Sequence, residues 1–258
     1  LIHNYWLKNY SIQAEYKKFE ISEKDVSKIL KEMRNKKIFG LNVTVPYKYL
    51  VVKYLDHLVE DAKVTGSVNT IYLNLNGDLV GDNSDVYGFE CGFLNKLPLK
   101  NLSNYSALVV GAGGVSPSII WALKKKGFEK IYVSNRSQTK IDLLKTKFPN
   151  LIKEINWKDK NDIVGTIDVL VNATSLGMVN HEDLELDVYK FKKNIIVFDV
   201  VYNPQTTNLV KKCNAQNIKA FGGLNMFVHQ AIRSFYKWHK KEPKFNAEIK
   251  NLIKSVIN

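Results

Sequence analysis

Residues 107–133 constrain this chain more than any other stretch. Ala107-Leu108-Val109-Val110 is a continuous apolar run, the pattern of a strand buried on both faces. It leads into Gly111-Ala112-Gly113-Gly114-Val115-Ser116 and then a helical stretch, 119–126, closed by Gly127. Ile131-Tyr132-Val133 follows as a second strand. Strand, turn, helix and strand in that order predict a parallel crossover unit. Further apolar runs at 168–171 and 195–200 extend it into a parallel sheet with helices on both faces. The glycines permit a tight turn and close approach of the backbone to a pyrophosphate. Ser116 stands where a third glycine is usual, and it is small enough to let the helix approach the strand. A glycine turn alone says little, but between a strand and a helix it predicts a dinucleotide site.

The end of the second strand refines that expectation. Sites for NAD place an acid there to hold the ribose 2′-hydroxyl. This chain has Asn135, Arg136 and Ser137, with Lys140 four residues after Arg136. Two cations and no carboxylate fit the 2′-phosphate of NADP, with Arg136 as the planar stacking and bridging group. Val171-Asn172-Ala173-Thr174-Ser175-Leu176-Gly177-Met178 reads as a strand entering a loop where the nicotinamide end would arrive. Asp199-Val200-Val201-Tyr202-Asn203-Pro204 is another strand end, and Thr207 is expected to cap the next helix.

The first hundred residues read as a separate α/β unit. Residues 5–10 are expected to end a helix and 14–21 to form a strand around Tyr16, Phe19 and Ile21. Ser22 with Asp25, ahead of Val26, Ile29, Leu30 and Met33, predicts a capped amphipathic helix. In Gly40-Leu41-Asn42-Val43-Thr44-Val45-Pro46-Tyr47-Lys48, the alternation predicts a strand. Pro46 predicts the first turn of a helix running through Tyr49, Val52 and Leu55. A short helix is expected near 58–64, then a strand at 71–73 and a hairpin at Asn76-Gly77. The return strand ends in Gly81-Asp82-Asn83-Ser84-Asp85, with a helix from Tyr87. Three polar strand ends therefore emerge: Asn42/Thr44/Lys48, Asn69 and Asp85. A loop at 97–103 marks a boundary. A helix opening at 222–230 and continuing through Trp238, and a last one over 247–257, are expected to pack back on the first unit. The expected domains are 1–100 with 226–258, and 101–225.

Composition narrows the function classes. The chain has 258 residues, 45% hydrophobic and 24% charged, enough for two globular cores. No apolar run approaches the roughly 20 residues that span a bilayer. Net charge is +13, yet every basic residue except Arg34, Arg136 and Arg233 is lysine, and these are scattered along helices. Base-reading surfaces favour arginine, so no nucleic-acid partner is expected. Cys91 and Cys213 lack disulfide or zinc spacing, which suits a reducing cytoplasm. His3, His57, His181, His229 and His239 lack metal-ligand spacing and read as surface or packing residues.

Eight ordered segments resemble the shikimate dehydrogenase family. They are Asn42 to Lys48, Gly66-Ser67-Val68-Asn69-Thr70, Asn83-Ser84-Asp85 with Gly88, Gly111-Ala112-Gly113-Gly114, Asn135-Arg136-Ser137, Asn172-Ala173-Thr174, Tyr202 with Pro204, and Met226 with Gln230. The resemblance runs from Leu1 to the end. It implies a substrate domain, a Rossmann-type NADP-binding domain and reversible NADPH-dependent reduction of 3-dehydroshikimate to shikimate. Lys48 and Asp85 are then the catalytic pair. Thr44, Asn69, Asp85, Tyr202 and Gln230 line the substrate pocket. Gly111, Ala112, Gly113, Gly114, Val115, Asn135, Arg136, Ser137, Lys140, Thr174, Val200 and Gly223 hold the cofactor. Lys140 replaces a usual arginine, which makes that phosphate contact a point charge rather than a fork. The family also carries a Ser-x-Ser-Pro segment before the Ile2-His3-Asn4 motif, whose serines bind the substrate carboxylate. Those serines are not in this sequence: either they lie upstream of Leu1, which is the expectation, or this chain lacks part of its substrate site.

Hydride transfer to a ketone builds negative charge on oxygen, and Lys48 is suited to donate the proton there. A monomer or homodimer is expected. Three other readings compete: a quinate/shikimate dehydrogenase that uses NAD, an inactive NADP-binding paralogue, and a lysine-rich nucleic-acid-binding protein. Arg136 and Lys140 argue against the first, intact Lys48 and Asp85 against the second, and the ordered site motifs against the third.

Overall fold

In the computed structural model, which describes residues 1–97 and 102–256, the chain forms two units: Leu1–Ser84 with His229–Val256, and Asp85–Val228. Part of the expected boundary loop at 97–103 and the end of the expected last helix at Ile257 lie outside the described residues.

The first unit carries a four-stranded sheet. Its strands are β1 (Gly40–Asn42), β2 (His57–Leu58), β3 (Thr70–Leu73) and β4 (Leu79–Asp82), in the order β1-β3-β4-β2. β3 pairs antiparallel with both β1 and β4, and β2 is parallel to β4. The Asn76-Gly77 hairpin forms as expected. Gly77 has φ +87°, and Asn74 Oδ1 accepts from the backbone N–H of Asn76 and Asp78. Val26, Leu30 and Met33 of α2 (Val26–Arg34) pack with Val51, Ala62, Val68, Ile71 and Leu79 as a core. Ser22 and Asp25 cap the α2 entry reciprocally, as their spacing predicts.

Around this core run α1 (Ile2–Asn9), α3 (Glu60–Thr65), the His229–His239 part of α9 (Leu224–His239) and α10 (Ala247–Lys254). Trp238 Nε1 donates to Ile71 O at 3.0 Å. A Cβ on Gly40 would stand 2.2 Å from that indole, so only glycine lets strand and helix meet here.

Two expectations in this unit are corrected. Residues 14–21 form no strand: Tyr16 is held by the Asn4 side chain, which accepts from Tyr16 N at 2.7 Å and donates to Tyr16 O at 3.0 Å. A side-chain amide thus takes the place of a partner strand, and Phe19 points to solvent. Nor does a helix start at Pro46. The Val45–Pro46 peptide is cis, residues 45–49 form turns, and a 3₁₀ helix follows only at Leu50–Tyr54. Val45 is 69% exposed, so the Val43/Val45 alternation is not a buried strand. Lys48 therefore sits in a turn, just ahead of Tyr49, the N-cap of that 3₁₀ helix.

The second unit is a six-stranded parallel sheet. Its strands are β5 (Ser106–Val110), β6 (Lys130–Ser134), β7 (Ile152–Ile155), β8 (Val169–Asn172), β9 (Ile196–Asp199) and β10 (Lys219–Phe221), in the order β10-β9-β8-β5-β6-β7. Each neighbouring pair is parallel. The central strands β5, β8 and β9 are buried throughout, which explains their unbroken apolar runs. β7 and β10 lie at the sheet edges and mix lysine and glutamate with apolar residues, so no such run announced them.

The connecting helices include α5 (Ser116–Lys125), α6 (Gln138–Lys147), α7 (Lys160–Ile163) and α8 (Asn208–Ala215). The Asp85–Gly92 part of α4 (Ser84–Gly92) also belongs here, and its Phe89 packs with Phe93 against Phe198. The chain leaves β5 toward β6 and β7 on one side and returns to β8 on the other. That reversal opens a crevice at the carboxyl ends of β5 and β8, where open α/β sheets bind ligands.

Candidate active site

Every expected cofactor residue of the second unit lies on a loop at the carboxyl ends of these strands or at the start of the following helix. Gly111 has φ +113°, and a Cβ there would lie 2.8 Å from Thr174 Cγ2. The glycine lets the β5 and β8 loops close on each other. A Cβ on Gly113 would meet nothing within 4 Å, which leaves room for a pyrophosphate ahead of α5. Ser116, fully buried, takes the third glycine position. Ala112 N donates to Asn135 Oδ1 at 3.1 Å, and Asn135 Nδ2 to Ser137 O at 2.9 Å, so the glycine turn and the β6 loop are tied. Arg136 is exposed, with its guanidinium over the Trp157 ring at 5.7 Å. Lys160 Nζ stands 4.4 Å from the same ring. Lys140 is exposed in the first turn of α6.

Gly223 N donates to Val201 O at 2.9 Å, and a Cβ on Gly223 would fall 2.1 Å from Val200 O. Val200 and Gly223 thus touch through backbone alone. Tyr202 stacks on Phe227 with ring centroids 4.3 Å apart, and burial pushes its phenol above the usual pKa. Cofactor chemistry fits this unit: a glycine cradle with open space, and cations but no carboxylate directly after β6.

In the first unit, the turn carrying Thr44 and Lys48 is bracketed by two backbone bonds. Val43 N donates to Asn69 O and Val68 N to Lys48 O, each at 2.9 Å. Thr44 is exposed and Lys48 half-buried. Asn69 is buried, and its Oδ1 accepts from Ser84 N at 2.8 Å, Ser84 Oγ at 3.0 Å and Thr70 Oγ1 at 3.2 Å. Three donors fix the amide orientation. Asn69 Nδ2 makes no hydrogen bond among the described residues. By receiving Ser84 N, Asn69 caps the start of α4, one residue before the buried Asp85. Gln230 joins the same cluster: Ser84 Oγ lies 3.5 Å from Gln230 Oε1, and Ser234 Oγ donates to Gln230 O at 3.1 Å. The structure thus brings Lys48, Asn69 and Gln230 into one set of connected segments. Asp85 and Tyr202 fall in the second unit.

Comparison with known proteins names this arrangement. The profile described as shikimate dehydrogenase substrate binding domain matches residues 1–71, and that of shikimate / quinate 5-dehydrogenase matches 94–221. The shikimate dehydrogenase (NADP(+)) of Pelagibacter ubique is 40% identical over 98% of this chain and 92% of its own length. The chain belongs to the shikimate dehydrogenase family. The shikimate dehydrogenase crystal structure from Aquifex aeolicus superposes with a TM-score of 0.85 at 31% identity, covering 97% of this chain and 90% of that one. The Thermus thermophilus shikimate 5-dehydrogenase, solved with NADP(H) and shikimate, gives 0.81 at 28%, covering 94% and 88%.

Within the shikimate dehydrogenase framework, several supporting residues had no role assigned from sequence. Asn42 Nδ2 donates to Asn69 O at 3.0 Å and Ser234 Oγ at 2.9 Å, and Thr70 and Ser234 hydroxyls lie 2.7 Å apart. The separation of 164 residues between Thr70 and Ser234 leaves no local signal. Trp157 follows the unexpected edge strand β7. It carried a signal only in retrospect, as an aromatic residue among charges just past a strand end.

Proposed function

We propose that this chain reduces 3-dehydroshikimate to shikimate with NADPH, reversibly, as a step toward chorismate and the aromatic amino acids. What carries the reading is the Thr44–Lys48 turn, clamped by backbone bonds to the segment whose Asn69 caps α4 beside Asp85, in a chain of this family. NADPH supplies the hydride when bound. Lys48 Nζ gives its proton to the carbonyl oxygen as charge builds there, and takes it back in the oxidative direction. Asp85, in the first turn of α4, orients that ammonium.

Thr44, Asn69, Gln230 and Tyr202 hold the ring hydroxyls; the raised pKa of Tyr202 keeps its phenol a neutral donor. Gly111, Ala112, Gly113, Gly114 and Val115 receive the pyrophosphate. Asn135, Arg136, Ser137 and Lys140 hold the 2′-phosphate, and Thr174, Val200 and Gly223 border the nicotinamide. The substrate domain is 1–100 with 226–258, and the cofactor domain 101–225. The enzyme works in the cytoplasm, which the unpaired Cys91 and Cys213 support, as a monomer or homodimer without nucleic acid. No described helix is long and apolar enough to cross a membrane.

The test is NADP⁺-dependent oxidation of shikimate, followed by absorbance of the reduced nicotinamide. Lys48→Ala should lower kcat by about 10²–10⁴-fold with KM within a few-fold. A parallel collapse of substrate binding would make Lys48 a positioning residue instead. NADP⁺ binding without turnover of shikimate would favour an inactive paralogue.

A further inference from the structure

Asp199 ends β9, is fully buried, and no cation pairs with it among the described residues. Its Oδ1 accepts from Asn172 Nδ2 at 2.9 Å and Val201 N at 3.0 Å, and its Oδ2 from Thr207 Oγ1 at 2.7 Å. Each partner governs a different loop. Asn172 Oδ1 accepts from Thr174 N at 3.1 Å and Thr174 Oγ1 at 2.7 Å, and Thr174 Oγ1 in turn accepts from Leu176 N. Val201 O receives Gly223 N, which sets the close approach of Gly223 to Val200. Thr207 caps α8 through Val210 N and closes the loop that carries Tyr202.

One carboxylate therefore fixes the loops bearing Thr174, Val200, Tyr202 and Gly223. We propose that Asp199 is a positioning residue that holds the three strand-end loops around the nicotinamide in their reactive geometry. It touches neither substrate nor cofactor and acts through Asn172, Val201 and Thr207. Burial pushes its pKa up to about 6, against three hydrogen bonds that favour the carboxylate.

The inference rests on the dehydrogenase reading, and the experiment separates the two. Asp199→Ala, Asp199→Asn and Thr207→Val are compared with the wild type in shikimate oxidation, NADP⁺ titration calorimetry and thermal melting. Asparagine can accept from Asn172 and Val201, and its amide can donate to Thr207 Oγ1 with that bond reversed, so all three contacts can be kept. Asp199→Ala should lower kcat about 100-fold at temperatures where it is folded, because displaced loops misplace the reacting atoms. It should also raise KM for NADP⁺ about tenfold, and Asp199→Asn should restore kcat to within about fivefold of wild type.

Wild-type kcat and KM in a folded but less stable Asp199→Ala would overturn the proposal. If that variant does not fold, Thr207→Val decides, with kcat lowered about tenfold expected and unchanged kcat overturning. A wild type inactive on shikimate yet binding NADP⁺ defeats only the substrate reading, and the Kd of the variants then judges Asp199, with weaker NADP⁺ binding by Asp199→Ala and recovery in Asp199→Asn expected. No turnover and no NADP⁺ binding in the wild type would overturn both.

Discussion

The proposed function gives Asn69 two tasks, carried by two different atoms, and substitution can separate them. Its Oδ1 receives Ser84 N at 2.8 Å and Ser84 Oγ at 3.0 Å, which caps α4. In the proposed function its Nδ2 donates to a ring hydroxyl of the substrate. Asn69→Ala removes the cap and leaves the buried Ser84 N–H unpaired, about 1–3 kcal/mol in all. A loss of that size predicts a Tm lower by at least about 2 °C. Asn69→Asp keeps an acceptor for Ser84, at a helix N-terminus that favours an anion, but it loses the donor. Its stability should stay within about 1 kcal/mol of wild type, while kcat/KM for shikimate falls about tenfold, the worth of one neutral hydrogen bond. Thermal melting and steady-state kinetics on both variants check the separation. An Asn69→Asp enzyme with wild-type kcat/KM would refute the donor role, and an unchanged Tm in Asn69→Ala would refute the cap.

Arg136→Ala should abolish discrimination between NADPH and NADH, and Trp157 fluorescence should change on NADP⁺ binding in the wild type but less in that variant, since the guanidinium rests on the indole. Unchanged cofactor preference would remove Arg136 from the 2′-phosphate site. Gly223→Ala places a Cβ 2.1 Å from Val200 O, so the two loops must part. NADP⁺ affinity, read by calorimetry, should fall at least about tenfold; retained affinity would show that their spacing is immaterial.

His3 is buried beside Tyr16, Trp6 and Trp238, and burial lowers its pKa from 6.5 to about 3. A depressed folded-state pKa gives stability that is complete above pH 6.5 and lost as pH falls toward 3. The wild type should therefore lose about 2 kcal/mol from this group between pH 7 and 5. His3→Phe, compared by denaturant unfolding, should lack that part of the slope; parallel pH profiles would refute the assignment.

The cofactor half was the more legible in sequence, because its signals are local. A glycine turn, an apolar strand before it and a helix after it occupy adjacent residues, and Thr207 caps α8 as its position predicts. The short edge strands β7 and β10 were not legible, since half-exposed strands need no apolar run. In the first unit, Tyr16 to Ile21 misled because β-forming residues can equally line an extended segment held by one asparagine. Pro46 misled because a proline that fits a helix start also fits the turn found here. The residues expected at the site could be named from an ordered set of motifs. Their supports could not, because Ser234 and Asp199 act through partners distant in sequence.

Those supports share one physical device. A strand end leaves backbone donors with no ladder partner, and a buried donor without a partner is unfavourable by about 1–3 kcal/mol. In the first unit Asn69 Oδ1 satisfies Ser84 N, and in the second Asp199 Oδ1 satisfies Val201 N while Asn172 Oδ1 satisfies Thr174 N. In each case a polar side chain from one strand end saturates the backbone of a segment bearing a residue proposed for the site. The position of Asp85, Val200 or Thr174 is then set by hydrogen bonds of 2.8–3.1 Å rather than by loop packing. Such a network tolerates exchange of an amide for a carboxylate better than truncation to alanine. The contrast between Asn69→Asp and Asn69→Ala, and between Asp199→Asn and Asp199→Ala, should therefore run in the same direction in both units.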